Sequence, residues 1–134
     1  MIGTIIHSHK DLIVWQKAMD LVVLIYKITE NFPKTEIYGI TSQMRRSAVS
    51  IPSNIAEGRK RGSKADYRQF LLIAYGSGAE LETQLEICQR LSYIDEAHWK
   101  PVYLLLEEVM RMLNSMITGL QEFPKKLRSY KLRS

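Results

Sequence analysis

The chain has 134 residues, 46% of them apolar and 25% charged, with a single cysteine and a net charge of +5. That suits one domain with one core and excludes an internal disulfide framework. No run of about 18 apolar residues is present to span a membrane, and the apolar start Met1–Ile6 is too short for a signal peptide, so a cytoplasmic protein is expected.

The charge is unevenly placed. Residues 1–44 are neutral, 45–68 carry +5, 69–122 carry −5, and the tail from Phe123 carries +5. A neutral but polarised body can pair with copies of itself or offer one basic face to a polyanion.

The first predicted helix runs from about Leu12 to Asn31. Leu12, Trp15, Met19, Val22 and Tyr26 form one apolar row, and Leu21, Ile25, Ile28 and Phe32 a second. Two rows suggest burial on two sides. Pro33 stops the helix, and Thr35 to Gly39 reads as a loop.

The second helix runs from Ile40 or Thr41 to Gly58, with Thr41 or Ser42 as cap and Met44, Ala48, Ile51 and Ile55 as its apolar row. Pro52 lies inside it. Either it kinks the helix, with Ser50, Ser53 and Asn54 bonding freed carbonyls, or it starts a new one. Gly58 reads as a left-handed terminator.

The third helix runs from Ser63 to about Ser92, with Ser63 and Asp66 as a capping box. Its row is Phe70, Ala74, Ser77, Leu81, Gln84, Cys88 and Leu91, which makes Cys88 a core thiol. Gly76 and Gly78 each cost about 1 kcal/mol in a helix interior. They imply a close neighbour, for which the small residues of the second helix are the natural candidate.

The fourth helix runs from Asp95 or Glu96 to about Phe123. Trp99, Val102, Leu106, Val109, Leu113, Met116, Leu120 and Phe123 form an unbroken 3-4 seam. Leu105 and Met112 flank it on one side, and Tyr103, Met110 and Ile117 on the other. A helix apolar around most of its girth points to a subunit interface. The domain reading is a bundle over 1–124 and a basic tail, 125–134, expected to be disordered.

No catalytic constellation is evident. A di-iron bundle needs paired Glu-x-x-His motifs, and here only Asp95-Glu96-Ala97-His98 comes near, without a second copy. His7 and His9 read as solvated. Neither a metal nor a cofactor is expected, and no enzymatic activity. Asn54, Glu57, Glu80 and Glu82 read as structural polar residues, with Glu80 or Glu82 turned inward to pair with Arg45 or Arg46.

Arg59, Lys60, Arg61 and Lys64 fall within six residues at a helix–helix corner. The start of the third helix adds N–H donors and a positive dipole end. The loop is either a phosphate site or an ordinary solvated turn. In a ring of copies it would form a charged annulus suited to a polyanion. Only Tyr67 is an aromatic nearby, so base stacking there has weak support.

The chain resembles the four-helix-bundle family encoded in intervening sequences of bacterial 23S rRNA genes. The resemblance rests on DLIVWQKAMDLV at 11–22, FP at 32–33, YGITSQMRRSAVSIPSNIAEG at 38–58 and FLLIAYGSGAELETQL at 70–85. It departs at Gly78, where the family pattern often has a larger apolar residue. It implies an antiparallel up-down bundle closing into a ring, a pentamer. A related branch serves as accessory proteins of diversity-generating retroelements, which bind nucleic acid and a reverse transcriptase.

The resulting expectation is an all-α, non-enzymatic homo-oligomer that binds RNA or DNA. Arg45, Arg46, Arg59, Lys60, Arg61, Lys64 and Arg68 would make the contacts, with Lys125, Lys126 and Arg128 of the tail. The alternative is a protein-interaction scaffold or accessory subunit, in which the acidic faces of the last two helices meet a basic partner.

Overall fold

A computed structural model describes residues 5–121. Four helices carry the fold: α1 (Ile13–Thr29), α2 (Ile40–Arg59), α3 (Lys64–Arg90) and α4 (Glu96–Gly119). Short 3-10 turns at His9–Asp11 and Lys34–Glu36 precede α1 and α2. Among the described residues there is no strand. The tail residues Lys125, Lys126 and Arg128, and the end of the expected seam at Phe123, lie outside the described residues.

Each helix packs on its chain neighbours, and α4 closes the bundle against α1. The contacts run start to end. Arg45 near the start of α2 donates to Thr29 at the end of α1 (2.9 Å). Arg68 near the start of α3 donates to the Ile117 carbonyl near the end of α4 (3.1 Å). The bundle is therefore antiparallel, as short loops between sequential helices require.

The helix ends follow local chemistry. Ser63 caps α3 by accepting from the Asp66 N–H (3.1 Å), although Asp66 gives no return bond to complete a capping box. Asp95 caps α4 by accepting from the His98 N–H (2.9 Å). The far end of α3 is a Schellman turn: Ser92 takes φ 61, Ser92 N–H donates to Gln89 and Tyr93 N–H to Cys88. The expected cap of α2 is different. Gly39 holds the N-cap position without a side-chain bond, and Thr41 is buried in the first turn with its hydroxyl unpartnered.

Helix α2 passes through Pro52 without a break. Asn54 does not reach the carbonyl that Pro52 frees. Its Nδ2 donates to the Ser50 carbonyl (2.8 Å) and the Ser50 hydroxyl (2.9 Å). Gly58 is not a left-handed terminator either, since no described glycine has positive φ and α2 continues to Arg59. Its reason is proximity. A Cβ there would lie 2.8 Å from Phe70 Cβ and 3.2 Å from the Tyr67 carbonyl oxygen.

The core comprises Leu21, Ile25, Met44, Ile51, Ile55, Leu71, Leu81, Leu85, Leu106 and Leu113, together with smaller side chains between them. Burial of so many branched side chains is the main stabilising term. In α1 Leu21, Ile25 and Ile28 of the second row are buried with Val14 and Ala18, as is Phe32 just beyond the helix, while Met19 and Tyr26 of the first row are exposed. In α3 the predicted Ala74, Ser77, Leu81 and Cys88 are buried, joined by Leu71, Gly78 and Leu85, while Phe70 and Gln84 sit at the margin and Leu91 is exposed. On α1 the 3-4 pattern fits either row; packing buries the second, while Leu12, Trp15 and Val22 of the first are covered in part.

In α4 the seam is buried at Val102, Leu106, Val109 and Leu113. Of its flanks Ile117 is buried and Leu105, Met110 and Met112 are partly buried against the core, so only Leu104 is a large exposed apolar residue on α4. Surplus apolar surface lies instead on α1 (Ile13, Met19, Val23) and α3 (Leu72, Ile73, Ile87, Leu91). The two mid-helix glycines have separate surroundings. A Cβ on Gly78 would collide with Met110 Sδ of α4, not with α2, whereas Gly76 has open space.

Candidate nucleic-acid interface

The basic corner joins the end of α2 to the start of α3. Arg59 reaches back along the bundle end and donates to the Ile6 carbonyl (3.5 Å). Arg61 lies over the Phe70 ring (4.7 Å) and pairs with Glu57 (3.4 Å). Such an exposed pair contributes little to stability, but with the ring it holds the guanidinium at the corner. Lys60 and Lys64 are exposed and join no ion pair among the described residues. Burial raises the Tyr67 phenol pKa, while nearby Arg59 opposes that shift.

The other predicted cations are placed differently. Arg45 is half-buried. Its Nε donates to the Thr29 hydroxyl, which itself donates to the Ile25 carbonyl (2.7 Å), and its guanidinium stacks over Tyr26 (4.6 Å). Arg68 supplies the basic group that the last turn of α4 lacks. Both have structural roles beyond any contact with a ligand. Arg46 is exposed and in no ion pair among the described residues.

The inward pairing expected of Glu80 or Glu82 is not formed. Both carboxylates are exposed, because Leu81 between them takes the inward position. Glu57 also faces solvent. Asn54 is the one structural polar residue set between helices: its bond to the Ser50 hydroxyl continues to Ser77 of α3 (2.7 Å).

Next to this hydroxyl bridge the α2–α3 face opens into a cleft of about 530 Å³, lined by Tyr38, Arg46, Ser50, Ser77, Glu80 and Gln84 among others. The sequence reading missed it as a site. Its signal was present: Ser77, Glu80 and Gln84 recur at 3-4 spacing, as do Gln43, Arg46 and Ser50. A larger groove of about 790 Å³, between the starts of the chain and α1 and the end of α4, is mostly apolar and carries Leu12, Ile13, Met112 and Met116.

Asp95 and His98, the nearest approach to a metal motif, form a cap. His98 Nδ1 lies 2.7 Å from the carboxylate. That side-chain bond, followed by the His98 N–H, holds the Asp95 carboxyl below its usual range. Among the described residues no three His, Cys, Asp or Glu side chains gather as a metal site. His9 is half-buried edge-on to Trp15 (5.1 Å), so only His7 has the exposure expected of both. No helix among the described residues is long and apolar enough to cross a membrane.

Comparison with known proteins gives two likenesses. Residues 10–115 match the family model described as 23S rRNA-intervening sequence protein. A crystal structure of a protein of unknown function from the S23 ribosomal protein family of Bacteroides thetaiotaomicron is similar at 30% identity and TM-score 0.71, covering 78% of this chain and 98% of that one. No curated protein matches.

Proposed function

We propose the following for this chain, which belongs to the 23S rRNA-intervening sequence protein family: it is a non-enzymatic homo-oligomer that binds RNA or DNA through phosphates. One observation carries the reading. Arg59, Lys60, Arg61 and Lys64 crowd one helix–helix corner, and Lys60 and Lys64 are exposed without an acidic partner among the described residues. Lysines held outward in this corner, Lys60 at the end of α2 and Lys64 at the start of α3, suit phosphate oxygens. The exposed apolar residues of α1 and α3 are the faces through which copies would meet. Assembly would gather several corners into one field.

The test is a salt titration of binding to a generic single-stranded oligonucleotide. Affinity should fall linearly with salt on a logarithmic scale, and Arg59→Ala/Lys60→Ala/Arg61→Ala should weaken binding to all sequences alike and flatten the slope by about one per lost phosphate contact. Equal binding and slope in the triple variant would reject the corner. Retention of a protein partner by nuclease-treated protein, with no oligonucleotide binding, would favour the scaffold reading.

A further inference from the structure

We propose that the α2–α3 cleft is a base-reading site that accepts an unpaired guanine. The inference rests on the nucleic-acid reading above and adds specificity to it. The cleft's volume, about 530 Å³, falls within the usual range for small-ligand sites. Its chemistry is two-sided. Arg46 lines it from α2 and Glu80 from α3, yet no ion pair joins them. A cation and an anion facing one cleft without meeting leave room for a ligand that offers acceptors to one and donors to the other.

Guanine fits that pairing. Its O6 and N7 accept two hydrogen bonds from a guanidinium fork. Its N1–H and N2–H₂ present two adjacent donors to a carboxylate. Uracil has one ring N–H donor and adenine only its amino group, so neither offers a carboxylate two neighbouring donors. Tyr38, 95% exposed at the mouth of the cleft, supplies the stacking surface that the corner lacks. Gln84 also lines the cleft, with its Oε1 buried behind the wall and without a hydrogen-bond partner.

The cleft also lies in line with the corner. Arg46, Ser50, Asn54 and Glu57 recur at spacings of four, four and three, so they share one face of α2. Glu57 hands that face on to Arg61 through their ion pair. The separation between Arg46 and the end of α2 is about 20 Å along the helix. A single strand held by phosphates at the corner can place one base in the cleft.

The experiment measures binding of the full chain to a labelled uridine oligoribonucleotide, the same oligomer with one central guanosine, and one with inosine there. The guanosine oligomer should bind about tenfold tighter than the uridine one. Inosine, which lacks the N2 amino group, should lose most of that advantage. Arg46→Lys keeps the charge but removes the fork, and Glu80→Gln keeps the shape but supplies a donor where an acceptor is needed. Both should bring the guanosine-to-uridine ratio close to one, while each variant's melting curve stays that of the parent. A parent ratio of one, or a ratio unchanged in both variants, overturns the proposal.

Free guanosine monophosphate supplies the second arm. Competition at concentrations near those of the oligomer assigns the site to a free nucleotide; competition only at far higher concentrations assigns it to a base within a strand. Direct binding of the mononucleotide, tested on the same two variants, also judges the cleft if the corner variant leaves uridine binding untouched.

Discussion

Glycine-to-alanine substitution should have opposite signs at two positions of this bundle. At Gly58 the added Cβ would stand 2.8 Å from Phe70 Cβ, 3.0 Å from Tyr67 Cδ1 and 3.2 Å from the Tyr67 carbonyl oxygen. Carbon atoms settle at about 3.5–4.0 Å. Two of these neighbours are a backbone oxygen and a Cβ, which no rotamer change can move. Overpacking of this kind costs about 1–3 kcal/mol, and the helix propensity gained by alanine, about 1 kcal/mol, offsets only part of it. At Gly76 a Cβ would meet nothing within 4 Å, so only the gain of about 1 kcal/mol applies. The two variants should therefore differ by about 2 kcal/mol.

Urea unfolding followed by circular dichroism reads this directly. With a slope of about 1–3 kcal/mol per molar, the midpoints of Gly58→Ala and Gly76→Ala should stand about 1 M apart, with the parent between them. Dilute protein and unchanged slopes keep assembly and changes of compactness out of the comparison. A Gly58→Ala midpoint at or above that of Gly76→Ala would refute the claim that close approach of α3, rather than backbone freedom, requires glycine there.

The other predictions concern titration. Burial, and secondarily the nearby Glu36, pushes the Cys88 thiol up to about 11, and its hydrogen points to Met44 Sδ (3.4 Å). The native protein should react with a disulfide reagent at mildly alkaline pH only as fast as it opens, and at once in denaturant; fast stoichiometric labelling of the native state would contradict the buried placement. Because the folded value is raised, stability from this group should be complete below the unfolded thiol's pKa, near 9, and fall as pH rises toward 11. Asp95 behaves in the opposite sense. Its folded pKa is lowered, first by the His98 side chain and then by the His98 N–H, so its contribution is present above the ordinary value of 3.8 and lost as pH falls through the lower folded one. Asp95→Asn, still a competent cap, should flatten acid unfolding below about pH 4 relative to the parent; identical acid curves would remove Asp95 from the account.

The basic corner and the cleft differ in how far the residues alone announce them. Arg59, Lys60, Arg61 and Lys64 are contiguous enough to be noticed in the chain, and the helix start that follows them is signalled by the capping Ser63. The cleft joins Tyr38 and Arg46 to Ser77 and Glu80, more than thirty positions away, and nothing local relates them. Likewise Arg45, Arg46 and Arg68 look alike as cations, but only packing ties Arg45 to Thr29 and Arg68 to Ile117 and leaves Arg46 without an ion pair among the described residues.

Local chemistry was sufficient for the four helices, most of their ends and the central seam of α4. Helical periodicity, caps and proline act over a few residues, and those residues are adjacent in the chain. Only tertiary packing decided which of two neighbouring apolar rows on α1 turned inward, that Leu71 and Leu85 join the buried face of α3, why Gly58 has to be glycine, and that Glu80 and Glu82 face water. A spacing of three and four residues defines a stripe but not its azimuth. The azimuth is set when Leu21, Leu71 and Leu106 meet across helices, and every polar side chain then goes where that rotation leaves it.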